Sequence, residues 1–189
     1  HRFAEAQRIP VAVTWKNQEI FDNASPLYAG HLGFGALAAH RNALAEADLI
    51  VAIGTRLGDV ASLGYTFPET PAPKQTLVHV YPDSKPIGHV FRTDLGLIAD
   101  PVAVLSGMAQ TARVVSATRE SWISKINGVV KGLQVFSPVD APDGMDFGVV
   151  VDALSRLAPK DAIIVTDAGN ISTWVHRHWK MTPDNTLIG

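Results

Sequence analysis

The segment Asp48-Leu-Ile-Val-Ala-Ile-Gly54 limits what this chain can become more than any other. Its apolar run is uninterrupted, so it lacks the alternation that a strand with one wet face would show. It predicts a strand buried on both faces, the habit of parallel sheets. Thr76-Leu-Val-His-Val-Tyr81 and Leu95-Gly-Leu-Ile-Ala99 follow as further strands. Before them, Ala36 to Ala47 is alanine-rich, with Leu37 and Leu44 one heptad apart, a helical pattern. Strands alternating with helices at this spacing predict an α/β fold, an open parallel sheet flanked by helices with right-handed crossovers.

The rest of the chain extends this pattern. His1 to Arg8 has the mixed apolar and charged pattern of an amphipathic helix begun before His1, and Pro10 to Trp15 is a short buried strand. Residues 16–35 predict a long loop, and 55–75 an irregular stretch rich in Gly and Pro. Ser84 to Phe91 suggests a short helix. Asp100-Pro101 opens another, reaching about Arg113, with Asp100 as N-cap and Pro101 in the first turn. Ala117 to Val135 is helical and ends in a Pro/Asp/Gly cluster that suggests a boundary. Beyond it lie a helix over 147–157, a strand over 162–166, a turn at Asp167-Ala-Gly-Asn170 and a helix over 171–179. No room is expected for a further strand. The organisation is then an α/β domain over 1–115, a helical linker and boundary over 116–145, and the start of a second domain, cut off at Gly189, over 146–189.

Composition removes several functions. With 16 basic and 18 acidic side chains, the chain lacks the clustered positive charge that a nucleic-acid partner requires. It has no cysteine, which excludes a disulfide scaffold, a thiolate metal site and a cysteine nucleophile. No stretch approaches the roughly 18 apolar residues of a membrane span. The expectation is a cytoplasmic globular protein with neither a nucleic-acid nor a membrane partner.

Few residues suggest chemistry. Asp167-Ala-Gly-Asn170 joins a buried strand to a helix start, where backbone N–H groups favour anions. On the residues alone, an ordinary turn capped by Asn170 explains it better. Arg56 stands just past a buried strand, placed to hold a phosphate or carboxylate, or to pair with Asp59. Gly33-Phe-Gly35 precedes a helix, but no strand is expected before it and the third glycine of a dinucleotide fingerprint is missing. His79 suits a core position. His176 and His178, two apart, suit a solvated helix face. No metal-ligand cluster and no complete catalytic set is visible.

Three strings carry a resemblance. His31-Leu-Gly-Phe-Gly35 with Ala47 to Arg56, and Val78 to Gly88 closed by Ala99-Asp100, resemble the middle domain of thiamine-diphosphate-dependent enzymes, acetolactate synthase and its relatives above all. Ala162 to Asn170 with Trp174 is similar to the opening of their diphosphate-binding domain. The resemblance implies a Rossmann-like middle domain and an intact enzyme that uses thiamine diphosphate and Mg²⁺ on a 2-keto acid. It also implies a homo-oligomer with active sites shared between subunits. The first domain's activating glutamate and the third domain's metal-binding motif lie outside this chain, which by itself is expected to be inactive.

On the same resemblance, Gly169, Asn170 and Ile171 match the loop touching the diphosphate. In the flavin branch, Arg56, Gly33, Asp83 and Asp100 match positions near FAD. Ala36 replaces a glycine of that branch, Tyr81 replaces an aspartate, and a strand expected before His1 is missing. The alternative function is a non-catalytic nucleotide-binding or subunit-assembly module. A free-standing dehydrogenase fits poorly, for want of the glycine fingerprint.

Overall fold

The computed structural model describes residues 1–189 apart from Ala112, Arg113, Val115, Asp143 and Ala168. Its strands form three parallel sheets. β1 (Val11–Thr14) pairs with β2 (Tyr28–Leu32), with a register irregularity between Val11 and Val13. β3 (Leu49–Ile53), β4 (Thr76–Tyr81) and β5 (Leu95–Ile98) form the second sheet in that order. β6 (Ile163–Val165) and β7 (Thr186–Ile188) form the third. The helices are α1 (Arg2–Gln7), α2 (Ala38–Leu44), α3 (Pro101–Met108), α4 (Ala117–Gln134), α5 (Phe147–Leu157) and α6 (Ile171–His178). Parallel strands flanked by helices match the expected class.

β2 corrects the long loop expected over 16–35. Pro26 and Gly30 interrupt its apolar pattern, yet Tyr28 and Ala29 are fully buried against β1. Gly30 is required there: at φ +80°, a Cβ would lie 2.7 Å from the His40 ring on α2. Within the same stretch, Trp15–Ile20 forms 3₁₀ turns broken at Asn17. β7 corrects the expectation that no strand follows α6.

Two other expectations fail locally. Residues 84–91 make turns rather than a helix. The Asp83 carboxylate accepts from Lys85 N at 3.0 Å, and Gly88 sits at φ +73°, which together keep the chain turning. α3 ends at Met108, and Arg113 lies outside the described residues. Its start is as expected: the Asp100 carboxylate accepts from Ala103 N at 2.8 Å, with Pro101 in the first turn.

Burial of β3 on both faces is only partly realised. Ala52 is buried, but β3 is an edge strand and Leu49 remains 48% exposed. β5, the opposite edge, is exposed along its length. The main core lies elsewhere. Ile123, Ile126 and Val130 make one buried stripe on α4, which packs on α2 and β2. Trp122 donates from Nε1 to the Ala43 carbonyl at 2.9 Å, and Arg8 grips Glu120 through two nitrogens at 2.9 and 2.8 Å. A smaller core, Ala52, Leu57, Leu77 and Phe91, holds the second sheet. Ile164, Trp179, Met181 and Leu187 hold the third.

Candidate cofactor site

Because β3, β4 and β5 run parallel, their carboxyl ends share one edge, where open α/β sheets bind ligands. Gly54, at φ +71°, turns the chain there, with its N–H on the Val80 carbonyl at 2.9 Å. Arg56 follows and donates from Nε to the Tyr81 hydroxyl at 2.9 Å. That hydrogen bond, with the nearby charge of Asp83, pushes the guanidinium pKa up and keeps it cationic. Asp59 does not take Arg56; its carboxylate accepts from Val60 N instead. Arg56 and Asp83 face an open crevice of about 660 Å³, lined also by Tyr65, Lys85 and His89. The geometry suits a ligand with both a negative group and hydroxyls. His79 sits beneath, buried, with Nε2 on the Thr55 carbonyl at 2.9 Å, as a core histidine should.

Neither Asp100 nor Gly33 lines that crevice. The Asp100 carboxylate is engaged as the cap of α3, although Pro101 lies 3.5 Å from where a Gly54 Cβ would be. Gly33 follows β2 directly, so a strand does precede the glycine pair, contrary to expectation. It lies beneath Trp15: a Cβ there would be 2.6 Å from the tryptophan Cβ. Gly35 faces Thr173, and its carbonyl accepts from Arg177 Nη2 at 3.3 Å, which sets the loop against α6 rather than at the crevice.

The second candidate region is the start of α6. Gly169 and Asn170 lie just before it and Ile171 begins it; Ala168 is outside the described residues. Asn170 occupies the cap position at φ −55° and ψ −26°, and its side chain makes no cap hydrogen bond. The expected capping role is therefore not filled, and the amide remains exposed. Among the described residues beyond its chain neighbours, nothing lies closer than 3.8 Å to where a Cβ would stand on Gly169. Ser172 Oγ donates to the Gly169 carbonyl at 2.8 Å, and Thr173 Oγ1 to the Asn170 carbonyl at 2.6 Å, so the loop is tied down to the helix. A fixed turn with an unengaged amide and an open backbone approach fits an anionic group.

Behind this helix lies a polar junction that sequence reasoning missed. His176 and His178 are buried, not solvated, because α6 packs into the chain on that side. Gln18 and Asn23, fully and nearly fully buried, meet His176 and Met181. The half-buried His31 ring lies 5.4 Å from His176, with Nε2 on the Phe34 carbonyl at 3.1 Å. Desolvation, with the charges of His176, His40 and Arg177, pushes the His31 pKa down to about 4. Burial lowers His40 and His176 as well. The contacts join residues 158 positions apart, so no local pattern could reveal them. Among the described residues, no three His, Asp or Glu gather to hold a metal ion, and no helix is long and apolar enough to cross a membrane.

Comparison with known proteins decides the family. The family described as "Thiamine pyrophosphate enzyme, central domain" matches residues 1–108, more than half of the chain. The chain belongs to that family. Among similar proteins, the acetolactate synthase large subunit of Parasynechococcus marenigrum is 30% identical, covering 95% of this chain and 29% of its own length. Pyruvate oxidase of Lactiplantibacillus plantarum is 27% identical over 99% of this chain and 30% of its own. Sulfoacetaldehyde acetyltransferase of Castellaniella defragrans is 25% identical over 90% and 32%. The chain thus spans about three tenths of the length of these relatives. The thiamine-pyrophosphate family places the crevice at β3–β5 in the central domain, whereas α6 lies beyond the matched residues.

Proposed function

We propose that the protein carrying this chain is a thiamine-diphosphate- and Mg²⁺-dependent transferase or lyase, making or breaking the carbon–carbon bond beside the carbonyl of a 2-keto acid. The family match over residues 1–108, with relatives of this kind covering nearly the whole chain, carries the reading. In it, residues 1–115 are the middle domain, 116–145 a linker, and 146–189 the opening of the diphosphate-binding domain. This portion is not catalytic by itself. The intact protein is a homo-oligomer of the cytoplasm.

Thiamine diphosphate supplies the electron sink of such chemistry when bound. This chain's part is to hold and orient it. Gly169 would let the diphosphate approach the backbone, the Asn170 amide would donate to it, and Ile171, 49% exposed, would offer an apolar surface to it. The Ser172 and Thr173 hydroxyls keep those groups in place before the cofactor arrives. Held this way, the anion costs little reorganisation on binding.

The test is consumption of pyruvate and other 2-keto acids by the intact protein. Turnover should require both thiamine diphosphate and Mg²⁺, and turnover indifferent to them would oppose the reading. One observation favours a second role, a nucleotide at the β3–β5 crevice: Arg56 and Asp83 face the same space. FAD or ADP should then bind saturably, and Arg56→Ala should weaken binding at least about tenfold. Silence with both would leave the middle domain an assembly module.

A further inference from the structure

The buried junction behind α6 has one orientation only. Gln18 Nε2 lies 2.9 Å from the His176 carbonyl and 2.9 Å from Asn23 Oδ1. A carbonyl only accepts, so that atom is the amide nitrogen, and Oε1 must be the atom facing His176 Nδ1 at 3.0 Å. Asn23 is fixed likewise: Nδ2 donates to the Gln18 and Phe21 carbonyls, and Oδ1 accepts from Met181 N at 3.2 Å. His176 therefore carries its proton on Nδ1. Its Nε2 is buried and has no partner among the described residues. One side chain, 0% exposed, thus holds both the ring and the backbone of His176.

His176 stands one helical turn beyond Ser172, which is 1% exposed and clamps the Gly169 carbonyl through both its N–H and its hydroxyl. We propose that Gln18 is a positioning residue for the cofactor: it seats α6, and through α6 it fixes the Gly169-Asn170-Ile171 loop that receives the diphosphate. The proposal deepens the function given above and rests on it. It assigns the 3₁₀ stretch beside β1, far from the loop in sequence, a share in cofactor affinity.

Gln18→Leu keeps the bulk and removes all three hydrogen bonds. In the intact protein it should raise the KM for thiamine diphosphate at least about tenfold while kcat at saturating cofactor stays within about twofold. Hydrogen exchange should quicken across Ile171–His178 by a similar factor, with α4 unchanged. In a double-mutant cycle, the variant carrying both Gln18→Leu and Ser172→Ala should raise that KM over the unaltered protein by less than the product of the single effects. Unchanged exchange in α6, additive effects, or a loss confined to kcat would overturn the proposal. If Gln18→Leu does not fold, the ¹⁵N shifts of His176 in the unaltered protein still test the arrangement on which the proposal rests. A neutral ring protonated on Nδ1 is required, and a ring protonated on Nε2 would overturn the arrangement. An unaltered protein with no affinity for thiamine diphosphate would sink the functional reading itself. Normal affinity with an unmoved α6 would sink only the role of Gln18.

Discussion

Gly33→Ala should lower the stability of the protein by about 2–4 kcal/mol, seen as an earlier denaturation midpoint. Two costs act together at this position. The backbone sits at φ +146°, a conformation that side chains rarely adopt. The new methyl would also lie 2.6–2.8 Å from three atoms of Trp15. Trp15 cannot yield easily, because its ring stands edge-on to both Phe34 and His176. Gly58→Ala is the control. Nothing lies within 4 Å of its Cβ position, so its effect should stay within about 0.5 kcal/mol. The contrast separates two reasons for a glycine before α2. A purely ligand-contacting Gly33 would lose nucleotide affinity at unchanged stability, and that result would refute the packing argument.

Acidification should destabilise the same neighbourhood. The unfolded His31 has an ordinary pKa of 6.5, and folding depresses it to about 4. Between those values the unfolded chain binds a proton that the folded chain refuses, so stability falls as pH drops through that window. For His31 alone the full loss is on the order of 3 kcal/mol. His40 and His176, also depressed by burial, act in the same direction, and Arg177 opposes added positive charge nearby. Urea unfolding measured from pH 7.5 down to 4.5 should show a declining midpoint. His31→Gln should flatten much of that decline. A flat profile for the unaltered protein would contradict the neutral state of these rings.

What the sequence could and could not reveal follows from the range of the forces involved. β3, β4, α3 and α5 depend on signals held within a few residues: apolar runs, the Asp100 cap with Pro101, and the period of Phe147–Leu157. Those were legible. β2 was not, because its strand character comes from partnership with β1 and not from its own pattern. The helix expected over 84–91 failed for a local reason that could have been found, the Asp83 turn and Gly88. The family was visible in the strings around Gly33, Arg56 and Asp83, yet their placement was not. Arg56 and Asp83 face one crevice, while Gly33 lies under Trp15 beside α6. Gln18 is the plainest case. In a loop of polar residues it resembles a solvated side chain, and only its meeting with His176 makes it interior.

In the function proposed above, the turn before α6 receives the diphosphate of thiamine diphosphate. Its most direct test is calorimetric titration of the intact protein, in the presence of Mg²⁺, with thiamine diphosphate and with thiamine. Thiamine diphosphate should bind saturably and thiamine much more weakly, and Asn170→Ala should lose at least about tenfold in affinity. Equal affinity for the two compounds, or an Asn170→Ala variant that binds as tightly as the original, would contradict it.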